Sequence, residues 1–205
     1  MIGIFLAAPA QAAPQTLVAL GDSLTQGYGL PVEDGLVPQL EAWLQDRGLD
    51  VALINAGVSG DTTAGGLART DWALVPEASA VMVLLGGNDV LRGLPPAEAR
   101  ANLDAILAKI AARNLPVLLV PVTAPGNYGP EYKASFDAIF PELAAKHHAL
   151  LAAPYLDAIL AGTDQATALG SFIQADGIHP NKAGVARAIE ALGPKVLELL
   201  GQAEN

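Results

Sequence analysis

The chain has 205 residues, enough for one domain with its own core and short for two. A formal charge of -10, from 11 Lys and Arg against 21 Asp and Glu, argues against nucleic acid as a partner, because binding phosphates needs clustered cations. With no cysteine, the chain holds no disulfide, no thiolate chemistry and no Cys-based metal site.

The first residues differ from ordinary globular sequence. Ile2-Gly3-Ile4-Phe5-Leu6-Ala7-Ala8 reads as the apolar core of an export signal, and Ala10-Gln11-Ala12 offers a small-x-small cleavage site. No basic segment precedes it, so a short apolar tail stays open as the alternative. Residues 1–13 are therefore set apart from a single domain over residues 14–205. The export reading places the mature protein in the periplasm or outside the cell, and the tail reading leaves it in the cytoplasm. No uninterrupted apolar run reaches membrane-spanning length, so stable membrane insertion is not expected.

Leu17-Val18-Ala19-Leu20 reads as a short buried strand ending at Gly21-Asp22-Ser23-Leu24, with Gly27 closing a turn. Val51-Ala52-Leu53-Ile54 leads into Asn55-Ala56-Gly57-Val58-Ser59-Gly60-Asp61, and Val81-Met82-Val83-Leu84-Leu85 into Gly86-Gly87-Asn88-Asp89. Each is an apolar strand running into a polar, glycine-rich loop. Prolines at 95 and 96 open a helix in its first turn, and Leu103, Ile106, Leu107 and Ile110 recur at helical spacing. Residues 116–120 form a fourth strand and residues 149–152 a shorter fifth, and a last helix over residues 183–200 is expected to be interrupted at Gly193-Pro194. Short apolar strands alternating with amphipathic helices predict an α/β protein whose parallel sheet is covered on both faces.

Asp176-Gly177-Ile178-His179-Pro180 supplies the remaining chemistry. A serine hydroxyl is a poor nucleophile at neutral pH unless an imidazole takes its proton and a carboxylate fixes the imidazole's tautomer. Ser23, His179 and Asp176 are the candidates for those three roles. In open parallel sheets ligands gather beyond the carboxyl ends of the strands, which is where Ser23 falls. The Gly-x-Ser-x-Gly elbow of the common α/β-hydrolases is absent, so a different hydrolase fold is implied. An acyl-transfer site also needs donors aimed at an oxyanion, and the Gly57 N–H and the Asn88 side-chain amide fit that need.

These blocks, in this order, resemble those of the SGNH (GDSL) hydrolases. The further words Ser59-Gly60-Asp61-Thr62, Leu91-Arg92-Gly93 and Asn127-Tyr128-Gly129 look most like the periplasmic branch called arylesterase, acyl-CoA thioesterase I or lysophospholipase L1. The resemblance runs from about Thr16 to the last helix. It implies a three-layer, flavodoxin-like fold with a five-stranded parallel sheet. It implies a serine esterase working through an acyl-enzyme, with catalytic Ser23, Asp176 and His179, an oxyanion hole of the Ser23 and Gly57 N–H groups with Asn88, and no metal or organic cofactor. Partners would be a small ester, an acyl thioester or a lysolipid, and the protein would be a monomer.

Blander roles compete at several positions. Asp22 is read as a cap on the turn after the first strand, and Asp61 and Asp89 as carboxylates bracing loops. His147 and His148 close a helix, where cations favour the C-terminus. Val90, Leu91, Tyr128 and Ile178 are the expected substrate-binding residues, although core packing explains apolar side chains equally well. A carbohydrate acetylesterase on the same blocks stays open, as does a non-catalytic flavodoxin-like binding module. No Gly-x-Gly-x-x-Gly or phosphate loop follows the first strand to favour the latter.

Overall fold

The computed structural model describes residues 15–203, the side chain of Gln165 apart. The expected signal segment therefore lies outside the described residues. In chain order the elements are β1 (Gln15–Gly21), α1 (Ser23–Gln26), α2 (Leu36–Gln45), β2 (Val51–Gly57), α3 (Thr63–Ala73), β3 (Ala80–Leu84), α4 (Gly87–Leu91), α5 (Pro96–Ala111), β4 (Val117–Leu119), α6 (Pro130–Asp137), α7 (Ile139–His147), β5 (Leu150–Leu151), α8 (Tyr155–Leu160), α9 (Gln165–Phe172) and α10 (Lys182–Ala203). All five expected strands are present.

The strands form one sheet in the order β2-β1-β3-β4-β5, every pair parallel. Leu17, Val18, Ala19 and Leu20 of β1 and Val81, Val83 and Leu84 of β3 are wholly inaccessible to solvent, as strands covered on both faces must be. Helices α2, α8 and α10 pack together in one layer, and α3, α5 and α7 in another. From β1 the chain moves outward to β2 and then returns to β3 on the other side. That reversal opens a crevice at the carboxyl ends of β1 and β3, the place where ligands bind in open α/β sheets. Ser23 follows β1 and Asn88 follows β3, so topology alone brings them to one edge.

The C-terminal helix corrects one expectation. It runs unbroken from Lys182 to Ala203 with Pro194 inside it. Proline removes the donor to the carbonyl four residues back, a cost of about 3 kcal/mol. Burial of Leu192, Val196, Leu199 and Leu200 along the same face outweighs it. At Gly193 a Cβ would come within 2.3 Å of the Trp43 ring, so this glycine serves close helix packing rather than a break.

Candidate active site

Ser23 is the first residue of α1. The Asp22 carboxylate caps that short helix, accepting from the Leu24 N–H at 3.0 Å, which is the capping role expected of it. Gly21 and Gly57 sit opposite each other at the ends of β1 and β2, and both make room for α1. A Cβ on Gly21 would meet Thr25 Oγ1 at 2.0 Å, and one on Gly57 would meet Gln26 N at 2.3 Å.

His179 arrives from the opposite end of the chain on a loop with hairpin character. Ile173 and Pro180 form an antiparallel bridge, Gln174 N–H donates to His179 O at 2.7 Å, and Gly177 turns the chain at a φ of +74°. His179 Nε2 stands 2.8 Å from Ser23 Oγ, and Nδ1 stands 2.6 Å from Asp176 Oδ2. The other carboxylate oxygen of Asp176 accepts the backbone N–H groups of Ile178 and His179 at 2.9 and 3.0 Å. Tyr28, which nothing in the sequence singled out, lays its ring 4.7 Å from the imidazole, centroid to centroid. Three side chains separated by up to 156 positions thus form one hydrogen-bonded line.

The two carboxylates beside this line are tuned in opposite directions. Burial raises Asp22 to about 6, against the lowering effects of the Leu24 N–H and of His179. For Asp176, desolvation works upward, but the N–H groups of Ile178 and His179 and the His179 ring prevail and hold it at about 2. Asp176 therefore supports the fold above ordinary carboxylate pKa values and loses that support as pH falls toward 2. Asp22 has the reverse sign. Its proton is held more tightly in the folded chain, so its favourable contribution is complete below about pH 4 and is lost as pH rises through about 6. Asp22→Asn keeps a capping oxygen and removes the charge. In urea unfolding, the variant should match the parent near pH 4 and exceed it at pH 8 by up to on the order of 3 kcal/mol. Parallel stability curves from pH 4 to 8 would reject the assignment.

Asn88 lies in the first turn of α4. One hydrogen of its amide goes to Asp61 O at 2.9 Å, which seats the Ser59–Asp61 loop against it and leaves the other hydrogen for a ligand. Gly57, by contrast, does not offer its N–H to Ser23. Successive N–H groups of a strand point to opposite sides, and that of Val58 turns inward to Gly21 O at 3.0 Å. The Gly57 N–H therefore faces the open edge of the sheet, where Asn55 Oδ1 accepts it at 3.0 Å. The loop glycine that sequence reasoning passed over is Gly60, in the left-handed region at φ +86°. Its carbonyl accepts from Arg92 Nη2 at 2.8 Å, while its N–H has no acceptor among the described residues.

The other acidic and basic candidates are structural. Asp89 accepts from Thr63 N and Oγ1 at 2.8 and 2.6 Å, and Asp61 pairs with Arg69 at 2.6 Å. His147 ends α7 against Asp104 at 2.5 Å, and His148 caps that helix in the left-handed conformation.

A cavity of about 260 Å³ opens beside Ser23, Asn88 and His179. Val90, Leu91 and Ile178 line it, as expected. Tyr128 does not. Its ring packs against Gly93 and its hydroxyl donates to Leu91 O at 3.3 Å. The rest of the apolar wall comes from Val122 and Pro125 after β4, and from Leu156, Leu160, Leu169 and Ile173 on and after α8 and α9. The loop opening at Pro125 was expected to border the pocket, but sequence reasoning missed the part of the wall on α8 and α9. Its signal was Tyr155, Leu156, Ile159 and Leu160 at helical spacing after Pro154.

Residues 19–187 match the GDSL-like Lipase/Acylhydrolase family. Esterase TesA of Pseudomonas aeruginosa is 39% identical over 191 residues, covering 93% of this chain and 92% of the relative. Thioesterase 1/protease 1/lysophospholipase L1 of Escherichia coli K12 is 36% identical, over 83% of this chain and 78% of its own length. Among solved structures, AlinE4, an SGNH-hydrolase family esterase, superposes with a TM-score of 0.74 at 41% identity, covering 93% of this chain and 99% of that one.

Proposed function

Because the chain belongs to the GDSL-like lipase/acylhydrolase (SGNH hydrolase) family and is a carboxylic ester hydrolase of that type, we propose that it works through an acyl-enzyme on Ser23 and takes acyl chains of medium length. The hydrogen-bonded line from Ser23 Oγ through His179 to Asp176 supports this most directly. With its proton on Nδ1, toward Asp176, His179 presents a bare Nε2 to the serine hydroxyl. As Oγ attacks the carbonyl carbon of the ester, its proton passes to Nε2, and Asp176 balances the imidazolium that forms. The carbonyl oxygen becomes an oxyanion, met by the Ser23 N–H, the free hydrogen of the Asn88 amide and the Gly60 N–H in place of Gly57. When the intermediate collapses, Nε2 returns the proton to the departing alcohol or thiol. Water then enters with Nε2 as base and releases the acid from Ser23.

The wall formed by α8 and α9 gives the acyl chain a place to lie. Each buried methylene contributes about 0.8 kcal/mol, so kcat/KM should rise about fourfold per added carbon until the cavity is filled. On p-nitrophenyl esters from two to twelve carbons, an optimum at six or beyond is expected. A steep fall after acetate would instead favour the carbohydrate acetylesterase. An esterase and a thioesterase among the relatives support both esters and thioesters as substrates. No described helix is long and apolar enough to cross a membrane. The export reading of residues 1–13 belongs to the same proposal and would deliver the enzyme to the periplasm or beyond.

A further inference from the structure

Arg69, in the second turn of α3, is not among the residues lining the cavity, yet each of its three guanidinium nitrogens donates a hydrogen bond. Nε donates to Asp61 Oδ2 at 2.6 Å, Nη1 to Ala56 O at 2.8 Å and Nη2 to Gly21 O at 2.7 Å. The three acceptors belong to three different segments. Gly21 ends β1 and immediately precedes Asp22 and Ser23, and Ala56 is the next-to-last residue of β2, ahead of the Ser59–Asp61 loop. Asp61 is the residue whose carbonyl holds the Asn88 amide at 2.9 Å. The side chains of Arg69 and Asp61 are only 17% and 19% exposed, so water does not easily replace these bonds. Nor can Asp61 shift toward α3 freely, since Gly65 is just small enough to pass it. A Cβ there would sit 2.5 Å from Asp61 Oδ1.

We propose that Arg69 is the positioning residue of the oxyanion hole, fastening the segments that carry Ser23, the Ser59–Asp61 loop and, through Asp61 O, Asn88 into one rigid set of donors. This rests on the reading of Asn88 as an oxyanion donor. Arginine suits the task because its planar fork reaches several fixed acceptors at once, whereas lysine offers a single mobile charge. Releasing the fork leaves the ester's ground-state contacts in the cavity intact and loosens only the donors that meet the transition state. A displacement of about 1 Å at such donors can cost up to about 100-fold in rate.

The experiment is a double-mutant cycle of Arg69→Met and Asn88→Ala, read as kcat and KM on p-nitrophenyl butyrate. Arg69→Met should lower kcat about 10- to 100-fold with KM changed less than about twofold, as expected for an interaction made only in the transition state. In the Asn88→Ala background the same substitution should cost at least about fivefold less, because one of the donors it positions, the one held through Asp61 O, is already gone. Arg69→Lys, which keeps the charge beside Asp61, should fold where methionine does not, show a smaller loss of kcat and follow the same non-additivity. Equal costs in both backgrounds, or a change confined to KM, would overturn the positioning role while leaving the oxyanion reading of Asn88 in place. An Asn88→Ala enzyme with undiminished kcat would overturn both.

Discussion

Ser23→Ala is expected to lower kcat by on the order of 10⁴ to 10⁶ while leaving the fold intact, as loss of a triad nucleophile does. The fold should survive because, among the described residues, the Ser23 hydroxyl bonds only His179 Nε2, and because α1 is capped by Asp22 rather than by the serine itself. The residual rate is equally informative. Asn88 and the backbone donors stay in place in the variant, so activity should remain above the uncatalysed reaction through stabilisation of the oxyanion on direct attack by water. A fluorophosphonate should label wild-type protein at Ser23 and leave the variant unlabelled, with peptide mapping to identify the site. Activity within tenfold of wild type, or labelling at another serine, would remove Ser23 from the mechanism.

How much of this was readable in advance depended on whether the signal was local. The strands leading to Ser23 and Asn88 were legible because a fully buried parallel strand must be apolar on both faces, which leaves short unbroken runs such as Val81 to Leu85, and the edge strand leading to Gly57, though partly exposed, still carries the apolar run Val51 to Ile54. Asp176 and His179 were legible because their partnership is built within three residues, around a glycine turn. Gly57 and Gly60 could not be told apart in the same way. Gly57 ends β2 and Gly60 lies in the loop just beyond it, and the choice turns on which way a single N–H points. That direction is set by the pairing of β2 with β1, a contact between positions 57 and 21. The acyl-side wall was missed for a related reason. Leu156, Leu160 and Leu169 look like ordinary core residues until the fold brings α8 and α9 to the edge where Ser23 stands. Arg69 was invisible because two of its three acceptors are backbone carbonyls, which carry no residue signature at all.

Asn88→Ala should lose roughly 10² to 10³ in kcat with little change in KM, the magnitude associated with one oxyanion-hole donor. The expectation depends on how the amide is already held. Its bond to Asp61 O at 2.9 Å fixes the plane of the group before substrate arrives, so no reorganisation is required when charge develops on the carbonyl oxygen. A neutral carbonyl gains little from such a donor and an oxyanion gains much, which confines the loss to kcat and leaves ground-state binding to the apolar wall. Truncation also strands Asp61 O without its donor, so a modest fall in stability should accompany the fall in rate. Asn88→Asp should lose both donors as well and add a charge. A carboxylate there cannot donate to Asp61 O, and it sets a negative charge against the developing oxyanion, so its kcat should fall at least as far as that of the alanine variant. If the alanine variant instead raised KM at unchanged kcat, Asn88 would be a substrate-binding residue and the oxyanion hole would have to be assigned to backbone N–H groups alone.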